Sequence, residues 1–417
     1  MVKFWLLVIV YSGVLNLFST AQGIIQKSAR QAELSGELER ILQGEVDSNK
    51  IPGAVIEVKR NGKVLYEQAF GWAQVFDFNR QRLIKPEKMT VGHLFDIASL
   101  TKVIGTTTAI MLLSDRGLLK VDDPIGKYVG AFDTGTKKSI TIRHLLTHTA
   151  GLYEWYPLYY AASNKDQAYQ LIGQLPLKYP VGQRRSYSDL GFDLLGEIIE
   201  KVSGQSLDSF MEENIFLPLG MNHTLFNPLK TGRFNQIAAT SMGNPYEKRM
   251  VYDTSLGFVI PGIRPDSWNG WRKYVLKGEV NDGNAWYANE GISGAAGLFS
   301  TAKDLQKLVD MLMNKGKLES GQFIKQSTIE TFLAPDKFHN GLGWMMDPEN
   351  SFMKNTPVGS FGHTGFTGTS IAVIPQYHLS VILLINRQNM GLSSTGEYYN
   401  VNPIRQKVLT AVLDFCH

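Results

Sequence analysis

Gly53-Ala54-Val55-Ile56-Glu57-Val58-Lys59-Arg60-Asn61-Gly62-Lys63-Val64-Leu65-Tyr66 reads as two β-rich runs joined by an Asn-Gly pair. Asn-Gly tolerates the positive φ angles of a tight two-residue turn, so the stretch is predicted to be a β-hairpin. Far along the chain, residues 369–375 and 379–385 give a second hairpin around Gln376-Tyr377-His378. A polar-apolar periodic stretch at about 27–49 reads as a helix ahead of the first hairpin. After the second, Asn402 caps a helix that has Pro403 at its first position and Ile404, Val408, Ala411, Val412 and Phe415 on one face. Helix and strands at the start are thus matched by strands and helix at the end.

Between the two ends, residues 95–315 read as mostly helical with long loops. Leu194, Leu195, Ile198, Ile199 and Val202 form one stripe, ended by Gly204. Leu305, Leu308, Val309 and Leu312 form another, capped by Thr301 and ended by Gly316. Residues 225–292 are Gly-, Asn- and Trp-rich without clear periodicity and are read as a wall of a cleft. The fold class expected is α+β: an antiparallel sheet built from both chain ends and flanked by helices, with a mostly helical lobe inserted. The α/β lobe would comprise about 22–95 and 296–417, and the helical lobe about 96–295. A cleft is expected where they meet.

Composition narrows the function. With 43% hydrophobic and 19% charged residues, the 417-residue chain is globular rather than disordered. A net charge of +4 without a basic run argues against a nucleic-acid partner. The single cysteine, Cys416, rules out an intramolecular disulfide and any paired-cysteine metal site. Residues 1–21 read as a signal peptide: Lys3 supplies the positive start, an apolar run follows, and Ser19-Thr20-Ala21 offers a small-residue cleavage site. The apolar run is short for a bilayer span. The mature chain, 22–417, is therefore expected to be exported, periplasmic or secreted, with no stable membrane span.

Chemistry concentrates in Phe95-Asp96-Ile97-Ala98-Ser99-Leu100-Thr101-Lys102, which runs into an apolar helix. A spacing of three puts Ser99 and Lys102 on one helical face. A lysine in a partly dry cleft loses its proton more readily and can take one from the serine. Ser-x-x-Lys also arises as a capping serine with a solvated lysine, so it does not stand alone. Two further segments join it: Ser186-Tyr187-Ser188-Asp189-Leu190-Gly191-Phe192, and Gly362-His363-Thr364-Gly365-Phe366-Thr367-Gly368.

With these motifs in this order, the chain resembles the serine β-lactamase and penicillin-binding-protein superfamily, most closely its class C-like branch of esterases, D-amino-acid peptidases and serine hydrolases. Residues 142–152 and 294–300 add to the likeness, which covers about 45–415. The resemblance implies that Ser99 is the acylated nucleophile, with Lys102 as general base or its proton partner and Tyr187 as a second base. It implies that Asp189, His363, Thr364, Gly365 and Phe366 bind substrate. The backbone N–H groups of Ser99 and Phe366 would form the oxyanion hole. Two departures stand out. The family's Tyr-x-Asn is Tyr187-Ser188-Asp189 here, and an ionised aspartate cannot donate to a substrate amide oxygen. The family's Lys-Thr-Gly is His363-Thr364-Gly365, so a partly protonated His363 is expected to hold substrate carboxylates weakly at neutral pH.

His144 and His148 are spaced like zinc ligands but have no acid between them, and they are read as packing residues. Ser293, in Gly291-Ile292-Ser293-Gly294-Ala295, lacks the spacing of a nucleophile elbow. Trp155, Tyr156, Tyr159 and Tyr160 are read as loop packing or as cleft lining. No metal and no cofactor are expected. The function expected is an exported serine hydrolase acting through an acyl-enzyme on an ester or amide: an esterase, a D-Ala-type peptidase or a weak β-lactamase. Its substrate would be a small molecule or a peptide such as a peptidoglycan fragment. The alternative is a penicillin-binding or sensor-like protein of the same fold with little turnover.

Overall fold

In a computed structural model, residues 29–258, 260–349 and 351–416 are described. The signal-peptide reading of 1–21 lies outside them. The first hairpin pairs β1 (Gly53–Arg60) with β2 (Lys63–Phe76). Asn61 and Gly62 between them have φ of 51° and 74°, as an Asn-Gly turn requires. β2 also pairs with β3 (Arg82–Lys88), an edge strand that contains Pro86. At the other end, β4 (Phe361–Thr364), β5 (Ser370–Ile374) and β6 (Leu379–Ile385) form an antiparallel meander. The two ends join through β1 and β6, with Ala54 opposite Ile385 and Arg60 opposite Leu379. The resulting sheet has six antiparallel strands in the order β3-β2-β1-β6-β5-β4.

Strand period sorts the core. Ala54, Ile56 and Val58 of β1 and Val381, Leu383 and Ile385 of β6 pack with the apolar faces of α1 (residues 29–47) and α5 (Asn402–Cys416). The alternate residues Val55, Ile382 and Leu384 enter a second core on the opposite face. That second core is shared with α2 (Thr108–Asp115), α3 (Asp189–Ser203) and α4 (Ala302–Met313). Both expected stripes form. Ser188 caps α3, which ends at the left-handed Gly204, and Thr301 caps α4.

A small antiparallel sheet sets the site. Phe95–Asp96 pairs with Leu298–Ser300, which also pairs with Leu225–Phe226. It brings the Ser99 segment against residues 294–300.

Candidate active site

Ser99 lies on a tight turn. Ala98 before it has φ 46°, an uncommon left-handed conformation for a residue other than glycine. Its N–H donates to Asp96 Oδ1 at 2.8 Å, and Asp96 Oδ2 accepts from Asn281 N at 2.7 Å. Asp96 is buried, and that burial pushes its carboxyl up to about 6. From Lys102 to Thr107 the backbone makes a wide π-helical turn before α2. Such turns cost hydrogen-bond geometry and concentrate at functional sites.

Lys102 is fully buried. Its Nζ donates to Ser99 Oγ at 3.1 Å and to the Ala295 carbonyl at 2.8 Å, and it lies 2.7 Å from Asp189 Oδ1. The Asp189 contact is an ion pair by distance, without hydrogen-bond alignment at that oxygen. Burial opposes the charge on Lys102, but the carboxylate of Asp189 and the hydroxyl of Tyr187 outweigh it and hold the lysine above its ordinary pKa. The resting lysine is therefore a cation. Burial also pushes the Tyr187 phenol up, against the pull of Lys102. The resting tyrosine is therefore neutral, with its hydroxyl facing both Ser99 and Lys102.

A cavity of about 400 Å³ opens over Ser99. Tyr187, Asp189 and Phe366 line it together with Trp155, Asn244 and Tyr246. The aperiodic stretch 225–292 thus walls the cleft, also through Met250, Phe258, Asn281 and Asp282. Of Trp155, Tyr156, Tyr159 and Tyr160, Trp155 lines the cavity. Tyr159 instead packs against Trp268, Trp271 and Tyr287. Among the described residues, no lysine or arginine lines the cavity, whereas Glu154, Asp189, Glu247 and Asp282 do.

His363, Thr364 and Gly365 do not line it. His363 is buried on β4, with Nδ1 2.8 Å from the Thr364 carbonyl. Burial, reinforced by the Lys102 charge, pushes it down to about 3. The expectation of a partly charged, carboxylate-holding His363 is corrected here: the ring is neutral across the working range. Asp282 and Glu247, pushed up to about 6 and about 8, titrate in the same cavity. The ratio of kcat/KM for a carboxylate-bearing penicillin to that for a neutral ester should therefore follow the same pH profile from about 6 to 8 in the wild type and in His363→Gln. Loss of a step near pH 6.5, the ordinary histidine value of about 6.5, in the variant would restore the cationic reading. Gly365 is glycine for a steric reason, because a Cβ would sit 2.5 Å from the Ile97 carbonyl. Thr367 Oγ1 and Thr369 Oγ1 donate to the carbonyls of Asp96 and Ile97, at 2.7 and 3.1 Å. The Phe366 turn and the Ser99 turn are thereby tied together. Among the described residues, the N–H groups of Ser99 and Phe366 donate to no protein group.

Several contributors carry no sequence signal. Ala295 acts through its carbonyl. It is set by its own N–H, which donates to Ser293 Oγ at 2.9 Å, while that hydroxyl donates to the buried Asp193. Ser293 is thus occupied as a brace. His144 accepts from Thr141 N as part of a helix cap, and His148 accepts from Ser188 N while its ring lies 4.4 Å from that of Tyr187. Both histidines therefore have identified structural partners.

Glu247 sets a pH-dependent stability. Burial, with the nearby Asp282 charge, pushes it up to about 8. When the folded pKa lies above the unfolded one, the native state holds the extra proton, so stability falls as pH rises from about 4.5 to about 8. Glu247→Gln should flatten this part of the Tm-against-pH curve, read by thermal unfolding. An unchanged slope would remove Glu247 as its source.

The family model described as Beta-lactamase matches residues 38–402. The chain is 32% identical over 371 residues to the N-acetylmuramyl-L-alanine amidase of Bacillus subtilis, covering 84% of this chain and 80% of that protein. It is also 32% identical over 399 residues to a putative D-alanyl-D-alanine carboxypeptidase of Escherichia coli, covering 90% of this chain and 87% of that one. A penicillin-binding protein homologue from Caulobacter crescentus superposes with a TM-score of 0.66 at 19% identity, over 93% of this chain and 97% of that chain.

Proposed function

The chain belongs to the beta-lactamase family and is a serine hydrolase, and from that premise we propose that Ser99 is acylated by a neutral ester or amide and released by water. The observation that carries this reading is the contact of Lys102 Nζ with Ser99 Oγ at the floor of the cavity. When Lys102 has given up a proton, its lone pair replaces an N–H toward Ser99 and accepts the serine proton as Oγ attacks. That proton then goes to the leaving group. The N–H groups of Ser99 and Phe366, free of protein partners, receive the developing oxyanion. His363, Thr364 and Gly365 shape the turn behind Phe366.

Substrate choice follows from the lining. The cavity wall carries Glu154, Asp189, Glu247 and Asp282 and, among the described residues, no lysine or arginine. Glu247 is mostly protonated at neutral pH and Lys102 faces Asp189 from the floor, but the remaining wall charge is negative, so a free carboxylate beside the scissile bond is disfavoured. Of the two relatives' names, an N-acetylmuramyl–L-alanine amide fits such a cleft better than the carboxylate-terminated D-alanyl-D-alanine. A peptidoglycan-derived amide or an ester is the substrate class proposed. The relatives' names and the composition of residues 1–21 both support export, and no helix among the described residues is long and apolar enough to cross a membrane. The test is hydrolysis of a short-chain chromogenic ester with a fluorescent penicillin as competitor. Steady turnover that disappears in Ser99→Ala is expected. Stable penicillin labelling without turnover would favour the sensor-like alternative.

A further inference from the structure

A buried arginine, Arg405, and a half-buried one, Arg387, converge on the backbone around Phe366. Arg405, on α5, donates from Nη2 to the carbonyls of Thr369 at 2.8 Å and Gly365 at 3.3 Å, and from Nη1 to Asn402 Oδ1 at 2.7 Å. Arg387, just after β6, donates to the Phe366 carbonyl from Nε at 3.1 Å and Nη2 at 2.7 Å, and from Nη1 to the Tyr399 carbonyl at 2.8 Å. Gln388 Nε2 adds a third nitrogen to the Phe366 carbonyl at 3.3 Å. Buried arginines ordinarily face carboxylates. Among the described residues, neither Arg387 nor Arg405 has a carboxylate within ion-pairing distance, and their acceptors are almost all backbone carbonyls.

The peptide geometry gives these contacts a consequence. In a trans peptide the N–H points opposite to the C=O. Holding the Gly365 carbonyl from behind therefore aims the Phe366 N–H the other way. Holding the Phe366 carbonyl fixes the next peptide, so both sides of Phe366 are clamped. Resting on the acyl-enzyme reading above, we infer that Arg387 and Arg405 are positioning residues of the oxyanion hole: Arg405 orients the peptide that carries the Phe366 N–H and backs it with positive charge, opposite the side where negative charge develops on the substrate oxygen, and Arg387 fixes the peptide that follows. Burial, with the neighbouring Arg387, pushes Arg405 down to about 9, which leaves it charged at neutral pH. Hydrogen bonding of a cation to a peptide carbonyl also polarises that peptide and strengthens its N–H as a donor. The clamp acts on the tetrahedral state, because only there does the oxygen carry full charge.

The test separates transition-state from ground-state effects. Arg387→Gln and Arg405→Gln keep a donor but lose the charge and the fork, and the matching Lys variants keep the charge alone. Phenylboronic acid, which forms a tetrahedral adduct on a serine, reports the hole. For each Gln variant, kcat on a neutral nitrophenyl ester should fall at least about tenfold with KM nearly unchanged, and the boronate Ki should rise by a similar factor. The Lys variants should recover part of both. Arg387 is the less buried of the two, so Arg387→Gln decides the question if Arg405→Gln fails to fold. A KM rise without loss of kcat, or an unchanged boronate Ki in a folded variant, would overturn the inference. Ser99→Ala is the control on the nucleophile. If it still forms the boronate adduct, the acyl-enzyme reading fails, whatever the arginine variants show.

Discussion

Lys102→Met should lower kcat on a chromogenic ester by about 10²- to 10⁴-fold, the range supplied by a positioned proton-transfer group. Methionine keeps the length of the side chain and removes its nitrogen. The loss falls on kcat because Lys102 lies beneath the cavity and meets Ser99 rather than lining the wall. The same change strands the Asp189 carboxylate. Stripping one partner from a fully buried pair costs about 3–5 kcal/mol. Here the cost should be smaller, because the Asp189 side chain keeps 23% of its exposure. Adding Asp189→Asn to Lys102→Met should then recover much of the lost Tm and none of the lost activity. That split, read by thermal unfolding beside steady-state kinetics, distinguishes a catalytic lysine from a structural one. Recovery of activity in the double variant would show that Lys102 is not the proton acceptor.

Asp189→Asn alone should have the opposite effect on rate. In the wild type, Asp189 lies 2.7 Å from Lys102 and helps hold it above its ordinary pKa, so the free-base fraction at neutral pH is small. An opposite charge at this range stabilises the cation by about 1–3 pKa units. The wild-type kcat/KM should therefore climb with pH without a plateau between about 7 and 9, a window below the ordinary lysine value of about 10.4. Replacing the carboxylate with an amide lets the lysine pKa fall, so more of it is free base at a given pH. The climb should move to lower pH by at least about one unit, with a gain of about tenfold or more at pH 7. Asparagine also brings a donor for a substrate amide oxygen, so amides should gain more than esters. An unmoved profile together with an unchanged amide-to-ester ratio would show that Asp189 controls neither the lysine nor substrate choice.

What was legible in the sequence is what is local. Asn61-Gly62 declares its turn through backbone conformation, and the stripes of α3 and α4 declare their buried faces through a period of 3.6. Matching hairpins at the two ends declared one sheet built from both, but not that β1 and β6 are the strands that join them. The β3 strand was not legible, because Arg82–Lys88 is an edge strand with Lys85, Pro86 and Glu87 in it and almost no alternation. At the site, Ser99, Lys102, Tyr187 and Asp189 come together as their motifs suggested. The charge state of His363 was misjudged because burial depends on residues distant in the chain, among them Lys102. Ala295 was missed because a carbonyl has no residue identity, and its partner Lys102 is 193 positions away. Arg387 and Arg405 were invisible for the same reason, since both work on backbone oxygens.

The central claim is that acyl transfer passes through Ser99, and trapping the intermediate tests it most directly. The wild type would be quenched during turnover of a slowly released acyl donor, digested, and mapped by mass spectrometry. One acyl group should appear on the peptide containing Ser99, and none in Ser99→Ala. An acyl group on Ser293 or any other residue, or full turnover by Ser99→Ala, would contradict it.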